Sequence, residues 1–75
     1  MIFSIPQLHL LRSLENRGWE NNTVMLTVLL NRCGAAKEDW DALTTAGLIC
    51  NRAGRYWLST KGKKEYKIGK KGRYF

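Results

Sequence analysis

The sequence predicts a mostly helical α+β domain, with three core helices, a β-hairpin, a short C-terminal helix and a basic tail. Three observations carry that prediction. Apolar residues recur at helical spacing through the N-terminal half. The stretch from Ala46 to Gly62 reads A-G-L-I-C-N-R-A-G-R-Y-W-L-S-T-K-G, two short β-prone runs around a glycine turn. Cations gather near the end, where Arg52, Arg55, Lys61, Lys63, Lys64, Lys67, Lys70, Lys71 and Arg73 stand against Glu65 alone.

The first helix begins at a capping box, Ser4 with Gln7, and Pro6 sits where a first turn tolerates it. Leu8, Leu10, Leu11 and Leu14 give it an apolar side, and Gly18 ends the pattern. It is expected to be a core or dimer element. Trp19 follows in a polar connection, where a large aromatic can fold back onto the core. Trp19 and the Leu10 side are the surface expected for a homodimer. Asn22 caps a second helix that runs through Cys33 and stops at Gly34. Val24, Met25, Leu26, Val28, Leu29, Leu30 and Cys33 leave only Thr23, Thr27, Asn31 and Arg32 polar, so a central core helix is expected, with cover for a partner as the alternative.

The third helix spans about Ala36 to Ala46, with Ala36, Trp40 and Leu43 inward and Lys37, Glu38, Asp41, Thr44 and Thr45 outward. Its charge is negative, which suits the positive end of the helix dipole near its start. Gly47 closes it. Leu48, Ile49 and Cys50 then form a strand, Ala53 and Gly54 a turn, and Tyr56, Trp57 and Leu58 the return strand, after which Ser59 or Thr60 caps a last helix. Strand alternation puts Tyr56 and Leu58 inward and leaves Arg55 and Trp57 on the outer face. Lys61, Lys63, Lys64 and Lys67 decorate the last helix, and Gly69 and Gly72 break the remainder. The expected layout is one domain over residues 1–68 and a flexible basic tail over 69–75, with Tyr66, Tyr74 and Phe75 interleaved among the cations.

Composition narrows the function classes. Seventy-five residues at 44% hydrophobic content suit one small core, and a domain of this size buries only about 60% of its unfolded surface, so dimerisation would help it. No apolar run approaches the roughly 20 residues of a membrane helix, and a basic leader before an apolar core is missing, so an intracellular, cytoplasmic protein is expected. Cys33, Cys50 and the single His9 are too few for a tetrahedral zinc site, and Cys33 and Cys50 are expected to fill core space. No nucleophile–base combination persuades with one histidine. Neither enzyme activity, nor a cofactor, nor a metal is expected.

Gly47, Leu48 and Ile49, followed by Gly54, Tyr56, Leu58, Ser59 and Gly62, resemble the end of the recognition helix and the wing of a winged helix-turn-helix domain, of the kind found in small MarR-like bacterial and phage regulators. With the upstream helices the resemblance covers roughly residues 5 to 67, and its motif indicates fold better than target. It implies binding to double-stranded DNA, in transcriptional control or another DNA transaction. The wing would bring Arg52 and Arg55 to phosphates, Lys61, Lys63 and Lys64 would add to them, and Trp57 would stack on a base or anchor a protein partner. Lys37, Thr44 and Thr45 are the expected groove readers on the third helix. That helix departs from the pattern in its negative charge, since carboxylates are repelled by phosphates, and in the short connection before it. Two other readings stay open. One is a protein-interaction module docking an acidic or hydrophobic partner, like some phage-encoded inhibitors of host machinery such as anti-CRISPR proteins, and the other is RNA binding.

Overall fold

In the computed structural model, which describes residues 2–71, the first helix α1 (Ile5–Asn16) starts at the expected box. The Ser4 hydroxyl accepts from the Gln7 N–H at 3.3 Å, and the Gln7 carboxamide accepts from the Ser4 N–H at 3.0 Å. Leu8, Leu10, Leu11 and Leu14 are all buried, so α1 is the spine of the core. At about 1.5–3 kcal/mol for each fully buried leucine, this one helix supplies a large part of the driving force for folding. The chain then extends into a two-residue strand, β1 (Trp19–Glu20), which the sequence pattern does not signal.

The second helix α2 (Thr23–Cys33) is capped by Asn22, whose side chain accepts from the Met25 N–H at 2.8 Å, and is closed by Gly34 in the left-handed conformation. It is joined through Gly34, Ala35 and Ala36 to α3 (Lys37–Thr45). The Asp39 carboxylate accepts from the Ala36 N–H at 3.0 Å and also from the Gln7 side chain at 3.3 Å, fixing the start of α3 against the start of α1. Strand β2 (Ile49–Arg52) and strand β3 (Arg55–Leu58) form the hairpin, in the register Arg52↔Arg55, Asn51↔Tyr56, Cys50↔Trp57 and Ile49↔Leu58. Its two-residue loop holds Ala53 at φ 55° and Gly54 at φ 69°. Positive φ at both positions marks a type I′ turn, whose twist matches the strands it joins. β1 pairs with the free side of β3, giving a three-stranded antiparallel sheet in the order β1-β3-β2.

The last helix α4 (Thr60–Lys71) is capped by Ser59, whose hydroxyl accepts from the Gly62 N–H at 2.9 Å and donates to the Gly47 carbonyl at 2.7 Å. One side chain thereby ties the start of α4 to the turn after α3. The inner face of α4 is Gly62, Tyr66 and Gly69, one helical stripe. A β-carbon on Gly62 would collide with the Leu48 carbonyl oxygen, and one on Gly69 would stand 2.8 Å from the Phe3 ring. The helix lies that close because both positions lack a side chain.

Five expectations change. Trp19 and Leu10 are not a dimer surface, because at 5% and 0% exposure both are already buried within the single chain. α2 is not a central core helix: it buries Leu29 and Cys33, while Val24 is 72% exposed and Val28 is exposed as well. Its apolar residues circle the helix, but only one side meets α1. Cys50 is only half-buried, on the outer face of the sheet, whereas Cys33 fills core space as expected. Tyr66 is a core residue, not an aromatic displayed among cations. The domain boundary after residue 68 falls inside α4, which continues through Gly69 to Lys71 because Gly69 is packed on Phe3. The rest of the expected tail, with Arg73, Tyr74 and Phe75, lies outside the described residues.

Candidate nucleic-acid interface

The outer face of the sheet is built by the alternation of β3. Leu58 is buried and Tyr56 meets Trp40 edge-on, with ring centroids 4.9 Å apart, so Arg55 and Trp57 must point the other way. The half-buried Trp57 indole rests on Gly18, where an added β-carbon would come within 2.7 Å of the ring. Its ring N–H donates to the Arg52 carbonyl at 3.3 Å, and the Arg52 guanidinium lies 5.5 Å from the ring centroid. Arg55 donates to the Gly18 carbonyl at 2.8 Å. A guanidinium has five N–H donors, so this bond positions Arg55 without exhausting it. The hairpin tip is also held by the residue that follows β1, since the Asn21 N–H donates to the Gly54 carbonyl at 3.0 Å. Arg52, Arg55 and Trp57 therefore form one braced group, with both arginines exposed.

The lysines of α4 form the second cationic surface. With Gly62, Tyr66 and Gly69 turned inward, Lys61, Lys63, Lys64, Lys67 and Lys71 are exposed. Lys61 reaches back to donate to the Ala46 carbonyl at 3.0 Å, which satisfies an acceptor at the end of α3 and favours positive charge there. Lys63 and Lys64 project outward from the first turns of the helix.

The third group, on α3, is differently disposed. Lys37 is exposed but paired with Asp41 at 3.0 Å, an exposed i,i+4 ion pair worth only about 0.3–0.5 kcal/mol. The Thr44 hydroxyl donates to the Trp40 carbonyl at 2.9 Å, so its proton is already used along the helix. Thr45 is exposed. Glu38 and Asp41 sit on the same outward surface, so α3 offers a polyanion little attraction.

Two arginines from the more acidic N-terminal part enter the picture only through the fold. Arg17 lies with its guanidinium 4.5 Å from the Trp19 ring centroid, and Arg32 lies 5.7 Å from it. The closeness of Arg17 to Trp19 in sequence hints at the first contact, but no sequence signal brings Arg32 from the far end of α2. Among the described residues no cluster of three or more His, Cys, Asp or Glu side chains is arranged to hold a metal ion, and no helix is long and apolar enough to cross a membrane. Comparison with protein-family models, with curated proteins and with solved structures returns no match for this chain.

Proposed function

We propose that this chain is a small, non-enzymatic winged-helix DNA-binding protein, acting in transcriptional control or as an accessory in a DNA transaction. The observation that carries the reading is the way the C-terminal cations are displayed. Arg52 and Arg55 stand exposed beside Trp57 on the braced hairpin, while α4 turns its glycines and Tyr66 inward and Lys61, Lys63, Lys64, Lys67 and Lys71 outward. Cations arranged so, with few acids among them, suit a phosphate backbone. The helix pair α2–α3, joined by a short turn containing Gly34, and the hairpin that follows it support the winged-helix layout.

In this reading the hairpin is the wing, Arg52 and Arg55 contact phosphates, and Lys63 and Lys64, with Lys61 in support, extend the contact. Trp57 contributes its ring edge or stacks on an unpaired base. Lys37, Thr44 and Thr45 remain the groove-facing set, in a minor role given the Lys37–Asp41 pair and the engaged Thr44 hydroxyl. The expected partner is duplex DNA, bound mainly without sequence reading.

The test is a salt titration of binding to a mixed-sequence duplex. Each phosphate that the protein no longer neutralises lowers the slope of log K against log salt by about 0.9, so Arg52→Ala with Arg55→Ala should lower it by about 2 and weaken binding. Unchanged affinity and slope would remove the wing from the interface. Competition with single strands and with structured RNA ranks the nucleic acids. A second reading, a module that docks another protein, is favoured by the acidic outer side of α3 together with exposed Val24 and Val28 on α2. Failure to bind any nucleic acid at low salt, with a stoichiometric partner captured regardless of nuclease, would select it.

A further inference from the structure

Between the end of α1 and the last turn of α2 lies an open cleft of about 260 Å³, lined by Ser13, Asn16, Arg17, Trp19 and Arg32. Two guanidinium groups approach the same indole there, at 4.5 and 5.7 Å from its centroid. Indole accounts for part of their position, since a cation over an aromatic face is attracted by about 0.5–2 kcal/mol. It brings no negative charge to a cleft that both guanidinium groups line. Among the described residues neither guanidinium reaches a carboxylate. Glu15, the nearest acid to Arg17 in sequence, lies near the Tyr66 phenol, and Glu20 accepts from the Asn22 side chain at 3.2 Å. Trp19 itself is buried, and its Nε1–H, which has no partner among the described residues, is closed off from solvent, so the ring forms the wall of the cleft and its N–H reports on what the cleft holds.

We propose that this cleft binds a phosphate group through Arg17 and Arg32. The planar forks of two arginines present paired N–H donors that match the oxygens of a phosphate, and a dianion balances their two charges. Asn16, exposed on the rim, adds an amide donor, whereas the Ser13 hydroxyl is already engaged with the His9 carbonyl at 3.0 Å. Arg17 also lines the neighbouring cleft with Gly18 and Arg55, so the site borders the outer face of the sheet. The phosphate can come from a free phosphate compound or from a nucleic-acid backbone. The proposal does not rest on the winged-helix reading, because an isolated phosphate ion is sufficient to test it.

The experiment follows the indole N–H signals of the full chain by two-dimensional ¹H–¹⁵N NMR while inorganic phosphate is added, against chloride at equal ionic strength. The Trp57 signal is assigned with Trp57→Phe and the remaining pair by proximity to Arg17 and Arg32 side-chain signals. The expected result is a saturable, phosphate-specific shift of the Trp19 signal, weakened about tenfold or more in Arg17→Gln and in Arg32→Gln, a loss of about 1.4 kcal/mol per decade. Dispersion of the same spectra establishes that each variant is folded. Arg17→Lys keeps the charge but loses the fork, and should bind more weakly than the parent chain. A shift equal in chloride, a shift that never saturates, or one unaltered by both glutamine variants overturns the proposal. The same variants are then titrated with duplex DNA. A lower salt slope identifies the phosphate as part of a backbone, and an unchanged duplex affinity beside weakened phosphate binding identifies a free phosphate compound.

Discussion

The helices α2 and α4 invert what their compositions promise. α2 is apolar over most of its circumference, yet it fully buries only Leu29 and Cys33, packs Met25, Leu26 and Leu30 half-buried against the core, and leaves Val24 and Val28 exposed. α4 is rich in lysine, yet it holds Tyr66 at 4% exposure and lets Gly62 and Gly69 meet the backbone and ring surfaces beneath it. A helix is stabilised by the few side chains that face a neighbour, not by its average polarity. In α4, two glycines that weaken the helix by about 1 kcal/mol each in isolation are what permit its close seat.

Substitutions that sharpen this contrast should rank accordingly. Tyr66→Ala should cost about 3–5 kcal/mol, as for a large buried aromatic, and a domain of this size loses about 4–8 °C of Tm per kcal/mol, which calorimetry would show plainly. A loss under about 1 kcal/mol would mean that α4 is not seated on the core. Gly62→Ala should cost about 2–3 kcal/mol, although alanine is the better helix former, because the new methyl meets the Leu48 carbonyl oxygen and the helix must move. If the variant were instead more stable in urea unfolding, the close approach would be wrong. Ser59→Ala should cost about 1 kcal/mol through removal of the cap, measured in the same way. Val24→Ser should change stability by no more than about 0.5 kcal/mol, and a larger loss would show that something covers that face.

Tyr66 also links the contrast to pH. Its phenol pKa is raised, first by burial and next by the nearby Glu15 carboxylate, with Arg12 opposing. The neutral phenol therefore contributes stability that is fully present below the ordinary tyrosine range near pH 10. That stability is lost as pH rises through the raised folded value, since the unfolded chain gives up the proton first. Tyr66→Phe should flatten this alkaline loss in pH-dependent unfolding followed by circular dichroism, and an unchanged alkaline profile would remove Tyr66 as its source.

Much of the fold is legible in the residues because local chemistry decides it. Ser4, Asn22 and Ser59 cap helices with their own side chains, Gly34 supplies a left-handed stop, and Ala53–Gly54 turns the hairpin at the expected place. The outward placement of Arg55 and Trp57 follows from strand alternation once Leu58 points inward. Strand β1 was not legible, since two residues are too few for a pattern and their pairing partner lies on β3. Nor was the Arg17–Trp19–Arg32 group, which needs three elements to converge.

By itself, the sequence determined where the helices start and stop, where the hairpin turns and where the cations concentrate, because caps, turns and charge act within a few residues. Only the tertiary structure decided that Trp19 lies in the core, that Val24 stays outside it, that α4 runs to Lys71, and that Arg32 comes beside Arg17. Those outcomes depend on which face finds a partner across the fold, and apolar burial is non-directional. Steric fit at residues such as Gly18, Gly62 and Gly69 then selects one arrangement among those the pattern allows.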